Sequence, residues 1–336
     1  MTVAANMPEQ LLRRLEWTVI RRLDGLLQGD YRTLWRGAGV DLADLREYQH
    51  HDDVRHIDWN VTARLQQPYV RQFLEDRDLS AWFLLDLSGS VDFGSDDVTK
   101  LAVATGFVAT LARVITRHGN RVGAMFYGSR VHAAAPGGAA ATLEVDAVLP
   151  PRASRLHVLE LLQRMQTLPP ARTGARSTGT DLAILLTGAE ATLKRRGLVF
   201  VLSDFISQPG WEQVLARLAR RHDVVAVRLW DPLEMALPDV GLVTLQDAET
   251  GEQVFIDASD PGFRERYAAI AQEREAALID SLAHSGADVL ELATDDDLLD
   301  ALIRFADLRR QRARLKVPLR FPQAMRRGAL LQEAAA

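Results

Sequence analysis

Two short apolar runs, Ala81 to Leu85 and Leu198 to Leu202, each end on an oxygen-rich turn: Asp86-Leu87-Ser88-Gly89-Ser90 after the first, Ser203-Asp204 after the second. Runs of this length without alternation are strands buried on both faces, which belong to parallel sheets covered by helices. The rest of the chain keeps that rhythm. Strand patterns fall at Ala81 to Leu87, Arg121 to Tyr127, Leu198 to Ser203, Asp223 to Trp230 and Ala287 to Leu292. Helical patterns fall at Val98 to His118, Ser154 to Leu168, Leu182 to Lys194, Gly210 to Arg221 and Gly262 to Ser285. This order predicts an α/β class, with a three-layer, doubly wound, mostly parallel sheet covered by helices on both faces.

Local signals refine that outline. Arg130 to Ala135 is expected to pair with its predecessor through the turn Gly128-Ser129, and Asp231 to Asp257, punctuated by Pro232, Pro238 and Gly251, reads as an inserted β-hairpin. Thr294 is expected to cap a final helix whose first turn carries Asp295, Asp296 and Asp297, favourable against the positive helix end. Leu12, Leu15, Val19, Leu23 and Leu26 recur at helical spacing and predict an amphipathic helix over Pro8 to Gln28. Three regions follow: an N-terminal helical and charged module at 1–79, the α/β domain at 80–308 with its insertion at about 231–257, and a basic tail at 309–336.

In an open α/β sheet, ligands gather beyond the carboxyl ends of the strands, where Asp86 and Asp204 both fall. Asp86, Ser88 and Ser90 present one carboxylate and two hydroxyls at alternate positions, and Thr180, in Gly179-Thr180-Asp181-Leu182, opens a further helix. Hydroxyl and carboxylate oxygens suit a hard divalent cation, of which Mg2+ takes six oxygen ligands and keeps several waters. Catalytic signatures are missing. The sequence holds no G-x-S-x-G elbow and no G-x-x-x-x-G-K-[ST] loop, and Ser88 stands where an aspartyl-nucleophile phosphatase would carry its second acid.

The order D-x-S-x-S, helix-opening Thr, strand-ending Asp resembles the metal-ion-dependent adhesion site of von Willebrand factor type A domains. The resemblance implies that Ser88, Ser90 and Thr180 bind Mg2+ directly, with Mn2+ or Ca2+ as substitutes, and that Asp86 and Asp204 act largely through water. It also implies that a client protein supplies an Asp or Glu to complete the shell.

A second dense cluster precedes the sheet, from Leu45 to Trp59. In one reading Arg46, Arg55 and Arg64 form an ion-pair network with Glu47, Asp52, Asp53 and Asp58, bidentate bonds fixing the loop while Tyr48 and Trp59 pack. In the other, His50, His51, Asp52, Asp53, His56 and Asp58 make a metallohydrolase centre. The motif itself, L-R-E-Y then D-D-V-R-H-I-D-W, runs on through Ala63-Arg64, Val70-Arg71 and Glu75-Asp76-Arg77 to Asp231-Pro232-Leu233-Glu234, Leu237-Pro238 and Asp247 to Glu252. Over roughly Gly37 to Leu308 it resembles the bacterial domain of unknown function 58 family, departing at His51, where the family often has Gly. The resemblance implies a MoxR-type AAA+ ATPase as partner, in chaperone-like assembly or maturation of a client.

Composition narrows the partners. A 336-residue chain that is 47% hydrophobic can bury a sizeable core, and a net charge of -5 gives no global case for nucleic acid. With no Cys there are no disulfides and no thiolate ligands, as suits a reducing compartment. Met1 to Arg14 lacks a secretory pattern, and the longest apolar stretch, Leu101 to Ala112, falls short of the roughly 20 residues that span a bilayer. The expectation is a cytoplasmic chain without an integral membrane segment. Arg309, Arg310, Arg312, Arg314, Lys316, Arg320, Arg326 and Arg327 make the tail basic: a solvated helix end, or a surface through which the chain serves as a nucleic-acid-associated scaffold.

Overall fold

A computed structural model describes residues 42–48, 54, 57–73, 80–95, 98–128, 131–132, 142–143, 145–167, 179–246 and 252–305. The expected helix at 8–28, the residues His50, His51, Asp52, Asp53, Arg55 and His56, and the basic tail lie outside these residues. The described residues from 42 to 73 belong to one compact unit and those from 80 to 305 to another.

In the first unit, β1 (Leu42–Glu47) pairs antiparallel with β2 (Tyr69–Phe73), so that Arg46 stands opposite Val70 and Glu47 opposite Tyr69. Between them lies α1 (Trp59–Leu65), capped by Asp58, whose Oδ1 accepts the N–H groups of Asn60 and Val61 at 3.0 and 3.2 Å. Such a cap satisfies two of the donors that every helix start leaves open. The Asp58 N–H in turn donates to the Tyr69 carbonyl at 2.8 Å, and Thr62 Oγ1 accepts from the Tyr69 N–H, which ties helix to strand. Tyr48 is half-buried, but Trp59 is 69% exposed, because α1 buries none of its residues. The expected packing role of Trp59 is therefore corrected.

The second unit runs β3 (Ser80–Asp86), α2 (Lys100–Arg117), β4 (Arg121–Tyr127), β5 (Val131–His132), β6 (Thr142–Leu143), β7 (Ala147–Arg152), α3 (Arg155–Thr167), α4 (Leu182–Thr192), β8 (Leu198–Ser203), α5 (Trp211–Arg221), β9 (Asp223–Trp230), β10 (Leu242–Gln246), β11 (Gln253–Asp257), α6 (Pro261–Ser285), β12 (Asp288–Ala293) and α7, helical over 298–305. Six strands form one sheet in the order β12-β9-β8-β3-β4-β7, all parallel except β7. This is the mixed α/β, mostly parallel architecture expected. Burial on both faces explains the unbroken apolar runs: β8 is buried at every residue and β3 at every residue after Ser80.

Each face has its own core. On one, Phe83 stacks on Phe200 at 5.1 Å between ring centroids, and Phe107 of α2 meets Phe200 edge-on at 5.8 Å. On the other, Trp82, Leu84, Val199 and Val201 pack with Leu182, Leu185 and Leu186 of α4, Trp211, Leu215 and Leu218 of α5, and Leu282 of α6. Among the described residues no helix is long and apolar enough to cross a membrane.

Two local expectations are corrected and one strand is added. Val131–His132 pairs with Thr142–Leu143 and not with β4, whose antiparallel partner is β7. The sequence of β7, Ala-Val-Leu-Pro-Pro-Arg, hides a strand because Pro removes ladder donors, which only an edge strand tolerates. The last helix is capped by Asp297, whose Oδ1 accepts the N–H groups of Leu299 and Asp300, while the Thr294 hydroxyl is bonded elsewhere. The expected β10–β11 hairpin is present, in the register Leu242 to Asp257 through Gln246 to Gln253.

Truncating Phe200→Ala removes the ring shared by Phe83 and Phe107 and is expected to cost about 3 to 5 kcal/mol in urea unfolding. A loss below about 1 kcal/mol would contradict this packing.

Candidate functional site at the sheet switch point

From β3 the chain moves outward to β4 and β7, and on its return β8 is laid on the other side of β3, followed outward by β9 and β12. Winding therefore reverses between β3 and β8, and the carboxyl ends of these neighbours are the place where open α/β sheets form their ligand crevice. Asp86 ends β3 and Asp204 follows β8, so both acids stand at that point.

Asp86 is buried and both its oxygens accept: Oδ1 from the Ser88 N–H at 3.0 Å, Oδ2 from Ser203 Oγ at 2.7 Å. Ser203 Oγ itself accepts the Phe205 N–H at 2.9 Å, so one hydroxyl bridges the two strand ends. Ser88 and Ser90 bring their hydroxyls within 3.2 Å of each other at the start of a single 3-10 turn, Gly89–Asp92. The loop then doubles back so closely that a Cβ on Gly94 would lie 2.1 Å from the Val98 carbonyl oxygen. Asp204 accepts the Ile206 N–H on Oδ1 at 3.0 Å, and Phe205 between them takes a left-handed φ of 59°. A non-glycine residue holds that conformation only where packing imposes it, and here Phe205 is buried against Trp211 at 5.1 Å.

Thr180 reaches the same end of the sheet from the α4 side. Gly179 precedes it with φ of 81°, Asp181 caps α4, and the Thr180 carbonyl accepts Ser207 Oγ at 3.1 Å and the Gln208 N–H at 2.9 Å from the loop after β8. The Asp181 N–H donates to the Tyr127 hydroxyl at 3.0 Å, and Tyr127 lies opposite Asp86 in the β3–β4 ladder. Thr180 is 3% exposed.

The structure adds a cation that the sequence reading passed over. Lys100, the first residue of α2, is 1% exposed and donates to Asp204 Oδ2 at 2.9 Å and Glu234 Oε1 at 2.6 Å. Glu234 belongs to the capping box of a short 3-10 helix, Pro232–Glu234, in which it accepts the Asp231 N–H and Asp231 accepts the Leu233 N–H. Asp231 also gathers the Ser95 N–H and hydroxyl and the Thr294 hydroxyl, which closes a ring of loops around the strand ends. Two signals were present in the sequence. Asp-Pro-Leu-Glu is a capping box by type, and a Lys at the positive end of a helix is electrostatically misplaced unless acids face it.

Charge decides what this arrangement does. Asp204 and Glu234 meet the Lys100 ammonium, and the Asp204 charge also acts on Asp86, so these four groups carry two net negative charges when all are ionised. Burial, reinforced by the Asp204 charge, pushes Asp86 up to about 6 in spite of its donors Ser203 and Ser88. Burial also raises Glu234, against the opposing pull of Lys100. For Lys100 burial works downward, but the charges of Asp204 and Glu234 outweigh it and the ammonium is raised. Asp231 is lowered: burial pushes it up, and the donors from Ser95, Thr294 and Leu233 prevail.

Among the described residues no three His, Cys, Asp or Glu side chains group to hold a metal, so a metal here would depend on the hydroxyls of Ser88, Ser90 and Thr180. That donor set, neutral oxygens backed by an excess of two negative charges, fits a hard divalent cation. Of the second cluster, Arg46 and Glu47 sit on β1 and Asp58 caps α1; Asp52, Asp53 and Arg55 fall outside the described residues.

Comparison with known proteins places the chain among relatives. The family model described as "Protein of unknown function DUF58" matches residues 44–277. Uncharacterized protein Rv1480 of Mycobacterium tuberculosis is 38% identical over 302 residues, 90% of each chain, and a Mycobacterium avium protein, MAV169, is 35% identical over 167 residues, 49% of this chain and 95% of its own. Among solved structures, BatB from Bacteroides thetaiotaomicron is 13% identical with a TM-score of 0.41, covering 69% of this chain and 99% of that one. A von Willebrand factor type A protein from Catenulispora acidiphila is 10% identical with a TM-score of 0.34, covering 70% and 43%.

In chelator, Asp86→Asn is expected to change its stability relative to the parent with pH. A folded value of about 6 against an ordinary 3.8 means that the ionised parent loses stability as pH rises through that window, with the loss complete above it. Asn has no such term, so Asp86→Asn should gain on the order of 2 kcal/mol relative to the parent between pH 4 and pH 8 in urea titrations. A pH-independent difference would contradict this charge balance.

Proposed function

We propose that this chain, which belongs to the DUF58 family, is a protein-interaction module that holds a divalent cation at the switch point and anchors an acidic residue of another protein through it. The observation that carries the reading is the pair of Ser88 and Ser90 hydroxyls, 3.2 Å apart, at the strand end where the buried carboxylates of Asp86 and Asp204 stand. Ser88, Ser90 and Thr180 would hold the ion, Mg2+ in the first place and Mn2+ or Ca2+ as substitutes. Asp86 and Asp204, whose oxygens already accept protein donors, would act through water. The bound ion supplies the positive charge that attracts a carboxylate. A neutral hydroxyl shell leaves that charge largely unmatched, so a partner Asp or Glu adds more to affinity than it would against an all-carboxylate cage.

The partner on this reading is a MoxR-type AAA+ ATPase, and the acid comes from that ATPase or from a client being assembled or matured in the cytoplasm. Chemistry on a substrate is not part of the proposal. The one buried lysine of the site is held protonated by two acids, which suits a counter-ion and not a nucleophile.

The test is co-elution of the purified chain with the MoxR-type ATPase of the same cell. Complex formation is expected in Mg2+, to be lost in chelator, and to weaken at least about tenfold in Ser88→Ala/Thr180→Ala, since removing ligands or their orienting shell costs that much in metal sites. Equal recovery under all conditions would overturn the metal-dependent reading.

A further inference from the structure

We propose that Lys100 is a built-in counter-cation that limits how tightly this site holds a divalent ion. The inference rests on the metal-binding reading above and goes beyond it by naming the residue that sets the affinity.

The Lys100 ammonium cannot drift out of the site. Its side chain is 1% exposed, Asp204 and Glu234 hold it at 2.9 and 2.6 Å, and the Phe93 ring centroid stands 5.9 Å from Nζ. Asp204 is equally committed, with Oδ2 on Lys100 and Oδ1 on the Ile206 N–H. Most of the negative charge that Asp204 would offer a divalent ion is thus already matched by an ammonium of the same chain. Glu234 is the counterweight. Fixed by the Asp231 N–H, it draws part of the ammonium charge away from Asp204.

A divalent ion entering beside Asp204 meets a nearby unit positive charge, which at an effective dielectric near 20 weakens its binding by at least about tenfold.

The experiment is a Mg2+ titration of the full chain by calorimetry, with the Mg2+-dependent rise in unfolding temperature as a second readout. Lys100→Met is expected to bind Mg2+ at least about tenfold more tightly than the parent. Because that variant leaves Asp204 and Glu234 facing each other without a cation, Lys100→Met/Glu234→Gln is measured beside it. The double variant keeps the net charge of the triad and places it all on Asp204, and it too is expected to bind more tightly than the parent. Glu234→Gln alone, which leaves Lys100 wholly to Asp204, is expected to bind severalfold more weakly.

If the parent binds Mg2+, loses it in Ser88→Ala/Thr180→Ala, and neither Lys100 variant binds more tightly, the counter-cation role is overturned while the metal site stands. If neither the parent nor any Lys100 variant binds Mg2+, the metal reading fails and this inference with it.

Discussion

The reversal of winding between β3 and β8 is the constraint on which the rest of this structure depends. Two parallel neighbours whose connections leave in opposite directions set the place where open α/β sheets form their ligand crevice, so that place is a product of chain path and not of any side chain. The candidate site is then a matter of which residues the strands release there. Burial of both sheet faces fixes the register, because a slip of one residue would turn the Phe83–Phe200–Phe107 stack onto the wrong core. The same register delivers Asp86 and Ser203 to within hydrogen-bond distance across the strand boundary.

Holding several charges at one strand end has a cost that packing alone does not meet. The chain spreads that cost over five segments. Ser203 and the Ser88 N–H take Asp86, Lys100 takes Asp204 and Glu234, and Ser95 and Thr294 take Asp231. The left-handed Phe205 is a local strain paired with the burial of its ring against Trp211. What this solution leaves unmatched is the excess negative charge around Asp86, and an oxygen-lined crevice with such an excess is suited to a cation.

Much of this is legible in the sequence. The unbroken apolar runs at 81–85 and 198–202 carried the parallel sheet, and the positions of Asp86 and Asp204 at their ends carried the crevice. What escaped was whatever depends on partners distant in sequence. Lys100 lies 104 residues from Asp204 and 134 from Glu234, and no periodicity marks such a pairing. The edge strand β7 was hidden by its two prolines, and Thr294 looked like a helix cap because the acid it serves, Asp231, is 63 residues away. Trp59 differs for the opposite reason: an aromatic in a dense motif suggests packing, yet it begins a helix with no buried residue and is itself exposed.

Crystals grown in Mn2+ would reveal, by anomalous scattering, whether a divalent ion sits among Ser88, Ser90 and Thr180. The expected result is an anomalous peak bound by these three hydroxyls, at distances of about 2.1 to 2.3 Å appropriate to a hard cation on oxygen, with Asp86 and Asp204 one water away. A map in which the crevice is filled by the Lys100 ammonium and water alone, with no anomalous peak at Mn2+ concentrations that saturate other sites, would contradict it.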